Sequence, residues 1–263
     1  MIDWLYSLPE ILILVAGALV MAGAILALPS LVHRLPYLRT SNENNDFVLR
    51  MQATLFTMTS LVLAFTLVEA ESNFRKVDSL LATEASQINR LDRLLNRYGE
   101  EQVTELRRSL MAYAKAIVDD EWPAMLRGEA SGKVRLAFAS LSRGIFEIEP
   151  RSARETTIYA EILSSFDSIA EWRDARLKAV TIALPERYWQ VILFAVLMLL
   201  FITSTMGRSA FRAYVLSAQM AVMGVFIGFV FIMDQPFKGQ TAVDADQLRK
   251  AIVLMENRDR RDR

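Results

Sequence analysis

Three side chains in the second apolar stretch are spaced to meet ions directly. Gln52, Thr59 and Thr66 recur every seven positions, so at about 100° per residue they stack in a helical stripe about 40° wide. Phe56 and Leu63 fall on its flank. In a ring of subunits such a stripe gives polar rings alternating with apolar constrictions, a construction that selects with dipoles and gates by dewetting. The same pattern also serves packing. Thr hydroxyls bond the carbonyl one turn back, and polar side chains between spans act as glue worth about 1 kcal/mol. Glu69 and Glu71 stand where the stretch ends. They read either as a cation-attracting pore mouth or as solvated acids beside Arg75.

Other chemistry is sparse. Cysteine is absent, which excludes thiolate sites, and His33 is the single histidine; a His-rich zinc site or a Ser-His-Asp triad would have to be built around it, and nothing near it matches either pattern. The sequence holds no Gly-rich phosphate loop, no Gly-x-Ser-x-Gly elbow and no His-Glu-x-x-His. The acidic pairs Glu147 with Glu149 and Asp119 with Asp120 read as solvated or capping residues. Neither an enzyme nor a bound metal or cofactor is expected. Lys plus Arg and Asp plus Glu each total 30, which leaves no basic field for nucleic acid.

The elements that position these residues follow from where charge is missing. The chain is 53% hydrophobic yet 23% charged, so its apolar residues must be gathered in blocks. Residues 11–31, 51–68, 189–207 and 213–233 carry no charge. Each is long enough to cross a bilayer core of about 30 Å at about 1.5 Å per residue. The expected fold is all-α: an integral membrane protein with four transmembrane helices and a helical extramembrane domain inserted between the second and third spans. The division is a first transmembrane hairpin over 1–69, the helical soluble domain over 70–188, a second hairpin over 189–234 and a C-terminal tail over 235–263. Alternating Arg and Asp over 258–263 read as disordered.

Residues 47–98 contain neither Gly nor Pro, which predicts one rod tying the second span to an extramembrane helix. Val77, Leu81, Ile88, Leu91, Leu95 and Tyr98 give that helix an apolar seam at three-and-four spacing. Glu84 interrupts the seam, as a boundary residue or as a polar contact that sets register. Val103, Leu106, Leu110, Tyr113 and Ile117 mark the next helix, ended by Asp119, Asp120, Glu121, Trp122 and Pro123. A third covers 133–148, and Ile158, Ile162, Phe166, Ile169 and Leu177 mark a fourth. Gly224 with Gly228, and Ala18 with Ala22, are small-xxx-small pairs that favour close helix contact.

Charge at the span ends gives two answers on orientation. Arg34, Arg39, Arg208 and Arg212 lie in the short loops, which by the positive-inside rule leaves the soluble domain periplasmic. Arg75, Lys76, Arg176, Lys178, Arg187 and Lys238 flank the spans on the domain's own side and argue against it.

Several phrases together resemble the bestrophin-like domain family of bacterial four-span membrane proteins, over nearly the whole chain. They are His33-Arg34-Leu35 with Asn44-Asn45-Asp46, Leu61-Val62-Leu63-Ala64-Phe65 leading into Glu69 and Ala70, and Leu184-Pro185-Glu186 before Tyr188-Trp189. The most specific is the helix-end motif Asp234-Gln235-Pro236-Phe237-Lys238-Gly239. Its Asp234 reads as a turn residue or as a pin between the helix end and a neighbouring Arg. The resemblance implies a bacterial inner membrane protein and, through a distant relation to bestrophins, a homo-oligomeric channel for inorganic ions. Bestrophins are pentamers whose second span lines the pore and whose termini are cytoplasmic. The dense acidic run of calcium-responsive bestrophins has no counterpart in the scattered Asp234, Asp244 and Asp246, so calcium gating is not implied. The other function left open is a non-conducting membrane scaffold or sensor whose soluble domain binds a partner.

Overall fold

A computed structural model describes residues 3–32, 44–99, 101–125, 127, 129–206 and 209–261, and no strand occurs among them. After a 3-10 turn at Asp3–Ser7 come helices α1 (Glu10–Val32), α2 (Asn45–Tyr98) and α3 (Glu101–Ala116). A π-helical turn, Ile117–Glu121, leads into α4 (Trp122–Met125), followed by α5 (Gly132–Phe146) and α6 (Ala153–Ala179). The chain closes with α7 (Glu186–Thr205), α8 (Ala210–Met233) and α9 (Asp246–Arg261). These divide into two compact units, a membrane unit of Met1–Phe74 with Ala183–Ala242 and a helical unit of Arg75–Ile182 with Val243–Arg263.

Helix α2 belongs to both. It runs for 54 residues, about 80 Å at the usual rise, and nothing in its sequence breaks it. It stops at Gly99, whose φ of +84° closes the helix in the left-handed conformation that glycine adopts without strain.

Among the described residues four helices are long and apolar enough to cross a bilayer. Large apolar side chains cover their outer faces, among them Leu12, Leu19, Phe194, Phe201, Phe226 and Phe229. Because a helix bonds its mid-span backbone groups within itself, these faces suit hydrocarbon. Inside the unit Met21, Ile25, Leu63, Ile192, Leu199, Met220, Met223 and Val230 form a continuous core. Helices α1 and α8 meet backbone to backbone. A Cβ built on Gly17 would stand 2.5 Å from the carbonyl oxygen of Gly224, while one on Gly228 would reach Ile13 and Leu14 at 3.4 Å. Gly224, Gly228 and Ala18, read from sequence as contact sites, therefore lie where α1 and α8 meet.

The helical unit buries the whole seam from Val77 to Tyr98, together with Leu110, Tyr113 and Ile117 of the next elements. Phe138 of α5 lies between Tyr113 and Phe166, with ring centroids 5.4 Å and 4.9 Å away. At the start of α6 the Ser152 hydroxyl accepts from the Glu155 N–H, and Glu155 accepts from the Arg151 N–H. This reciprocal arrangement fixes where the helix begins.

Two expectations need correction. The acidic run does not end its helix, because the π turn carries the chain on through Met125. Nor is the C-terminus structureless over Asp246–Arg261: Leu248, Ala251, Ile252 and Met255 are buried on one face of α9. Arg258 donates to Asp92 and Asn89 of α2, and Lys115 pairs with Glu256 at 2.6 Å. Burial of one apolar face outweighs the helix-neutral composition of the end. The phrase at 33–35, the loop arginines Arg34, Arg39 and Arg208, and residues 262–263 lie outside the described residues.

Candidate functional site

The sequence places polar and bulky residues on two opposite sides of α2, and packing by the other spans decides which side is open. Gln52, Thr59, Leu63 and Thr66 are only 3%, 2%, 2% and 1% exposed. Gln52 Nε2 donates to Gln219 Oε1 of α8 at 3.0 Å. The Thr59 and Thr66 hydroxyls donate to the carbonyls of Leu55 and Val62 at 2.7 and 2.8 Å. Phe56 packs partly buried against the membrane core. These five residues therefore form a seam inside the chain's own membrane unit and line no open face of it. A threonine that bonds its own helix enters an apolar seam at little cost, so periodicity in polar residues does not separate seam from pore.

About 180° round the helix lies the exposed side: Arg50, Thr54, Thr57, Leu61, Ala64, Phe65 and Val68. Leu61 and Phe65 are 55% and 66% exposed. The Thr54 and Thr57 hydroxyls bond the carbonyls of Arg50 and Ala53, each at 3.0 Å, and keep a lone pair free outward. Among the described residues the exposed mid-span side chains of α1, α7 and α8 are apolar. Glu69 is partly buried and Glu71 exposed at the end of this stretch. No signal in the sequence alone would have chosen this side, since both sides carry hydroxyls and large apolar groups.

The helix-end motif is a clamp. Asp234 accepts the Leu184 N–H at 2.6 Å and the Trp189 indole N–H at 3.2 Å, tying the end of α8 to the entry of α7. Its partners are thus a backbone amide and an indole, where an arginine had been one expectation. Pro236 and Phe237 are buried beside it. Gly239 turns the chain at φ +90°, which brings Thr241 to donate its N–H and hydroxyl to Glu10 at the start of α1. Tyr6 stacks on Phe231 with centroids 4.6 Å apart.

In the helical unit four charges meet out of water. Arg176 of α6 is fully buried and donates to both oxygens of Glu84 at 2.6 and 3.3 Å and to Glu121 at 2.7 Å. Arg173 donates to the other Glu121 oxygen at 2.8 Å. Two guanidinium groups against two carboxylates leave the cluster neutral. Burial raises the Tyr113 phenol above its usual range, and the nearby Glu84 charge adds to this. Among the described residues its hydroxyl has no hydrogen-bond partner. Glu84 is thus the polar contact between helices that one reading of the seam anticipated. Arg176 and Glu121 were missed, although Ile162, Phe166, Ile169, Arg173 and Arg176 continue one four-three spacing. Among the described residues no three His, Asp or Glu side chains are grouped to hold a metal ion.

A family model, the Bestrophin-like domain, matches residues 12–248. No curated protein matches the chain. The fold is similar to a mutant of a bacterial Bestrophin homolog from Klebsiella pneumoniae, with a TM-score of 0.65 at 13% identity over 94% of this chain and 98% of that one. A second crystal structure of that homolog, solved by Zn-SAD phasing, gives 0.63 at 14% identity, over 94% and 98%. A crystal structure described only as a membrane protein gives 0.64 at 12%, over 94% and 97%.

Proposed function

Since this chain belongs to the Bestrophin-like domain family, we propose that it is an ion channel that conducts as a homo-oligomer, with the exposed side of α2 turned toward a central axis. The observation that supports this is the contrast between that side and the other spans. Thr54 and Thr57 would give rings of hydroxyl dipoles, and Leu61 and Phe65 an apolar constriction below them. Glu69 and Glu71 would stand at its mouth. The membrane unit's own interior is filled by its core, so conduction needs an axis between subunits. Resemblance to bestrophins supports five copies in the ring. The ion is unassigned.

Purified protein in planar bilayers is expected to pass current. Leu61→Ser and Phe65→Ala are expected to raise unitary conductance several-fold, and Thr59→Val, on the packed side, to leave it unchanged. Silence of a folded oligomer across ions and voltages would reject conduction in favour of a membrane scaffold or sensor. Sensitivity at Thr59 but not at Leu61 or Phe65 would move the axis to the other side of the helix.

We place the protein in the bacterial inner membrane with both termini and the helical unit in the cytoplasm, as bestrophins have theirs. The chain has no native thiol, so a cysteine at Ser131 reports its side directly. It is expected to stay unlabelled by an impermeant maleimide in intact cells and to react after lysis. Labelling in intact cells would reverse the orientation and leave the decision to the loop arginines.

A further inference from the structure

On the water-exposed part of α2, Arg90, Arg93 and Arg97 occupy one face within two helical turns. With the edge of Leu94 and with Glu161 of α6 they line a groove of about 200 Å³. Elsewhere in the helical unit Arg108, Lys115, Lys133, Lys178 and Arg249 each hold a carboxylate. Among the described residues Arg93 and Arg97 hold none, and Arg90 reaches Glu161 only at 3.8 Å with both side chains about half exposed. The far side of the same helix adds to the imbalance. There Arg107 and Arg258 share the single buried carboxylate of Asp92. Among the described residues the three guanidinium groups of the row thus face one carboxylate, that of Glu161. Like charges three and four residues apart on a helix repel, so the row is unfavourable in the free protein.

We infer that this groove binds a soluble anion carrying two or more linked phosphate groups. The row from Arg90 to Arg97 extends about 10 Å along the helix. One phosphate can engage two neighbouring guanidinium forks, and a linked pair is needed to reach all three. Arginine suits this role because its planar fork matches phosphate oxygens bidentately. Leu94, buried beneath, keeps water off one side of the groove. Glu161 both steadies Arg90 and opposes an incoming anion. The site lies wholly in the helical unit and does not depend on whether the protein conducts.

Calorimetric titration of the full-length protein in detergent with inorganic pyrophosphate tests this. Saturable binding at one site per chain is expected, with orthophosphate weaker by about tenfold or more. The double variant Arg93→Gln, Arg97→Gln is expected to lose at least about tenfold in affinity, and Arg108→Gln none. Glu161→Gln should tighten binding a few-fold, a gain that a loss of folding cannot mimic. Unsaturable heat, equal affinity in the double variant, equal binding of orthophosphate, or no gain in Glu161→Gln would each overturn the assignment.

Discussion

Arg176→Met is expected to cost the helical unit about 3–5 kcal/mol, the usual penalty for stranding one side of a buried ion pair. Both Glu84 oxygens accept from Arg176, so the substitution leaves a carboxylate in the core beside a Glu121 that keeps only Arg173. The loss should appear as an earlier loss of helical signal and faster proteolysis within residues 75–182. Glu84→Gln should cost less, because the amide keeps the shape and one acceptor. Replacing both, as Arg176→Met with Glu84→Leu, should recover much of the single-variant loss. A single variant melting within about 1 kcal/mol of the parent would mean that the cluster is wet or loose.

The same cluster sets a pH dependence. Burial raises the Glu84 carboxyl above its usual 4.5, and the attraction of Arg176 only partly offsets it. A raised carboxyl means that the folded state binds the proton more tightly than the unfolded one. The resulting stability is therefore fully present below pH 4.5 and lost as pH rises through the folded value. Arg176→Met removes the opposing charge and pushes Glu84 further up. Its stability deficit should shrink on acidification from neutrality toward about pH 5, as measured by the same melts.

Gly224→Val should have the second large effect, on the membrane unit. A Cβ at Gly224 falls on the Gly17 carbonyl and the Ala18 amide, and these are backbone atoms that cannot rotate aside. In a bilayer, helix association depends on close packing and has little hydrophobic drive. Forcing α1 and α8 apart should therefore cost about 3 kcal/mol or more. The monodisperse fraction surviving heating in detergent is expected to fall sharply. Gly23→Ala, where nothing lies within 4 Å, should match the parent, and Gly228→Ala, at 3.4 Å, should fall between. Equal survival of Gly224→Val would show that the two helices do not meet at these glycines.

Much of this architecture is legible in the sequence, because its causes are local. An uncharged run of span length has few alternatives, and the four-three seam from Val77 to Tyr98 pointed inward as expected. The family phrases led to the right family. The side of α2 was not readable, since it depends on where α7 and α8 pack and not on α2 itself. Gln52 meets Gln219, 167 positions away. The buried cluster was half readable: Glu84 stood out as a charge in a seam, but Glu121 enters through a π turn that shifts register by a residue. For α9 the signal was present in the spacing of Leu248, Ala251, Ile252 and Met255. The Arg-Asp alternation that follows them outweighed it.

Because α9 follows both hairpins in the chain, the ribosome makes it after them. Until it emerges, Asp92 has Arg107 but lacks Arg258, and the surface that Leu248 and Met255 will cover stays bare. A nascent chain halted before residue 246 would insert all its spans and still present that bare surface to chaperones and proteases. Translation must therefore run past both hairpins and through α9 before the helical unit is sealed against cellular quality control.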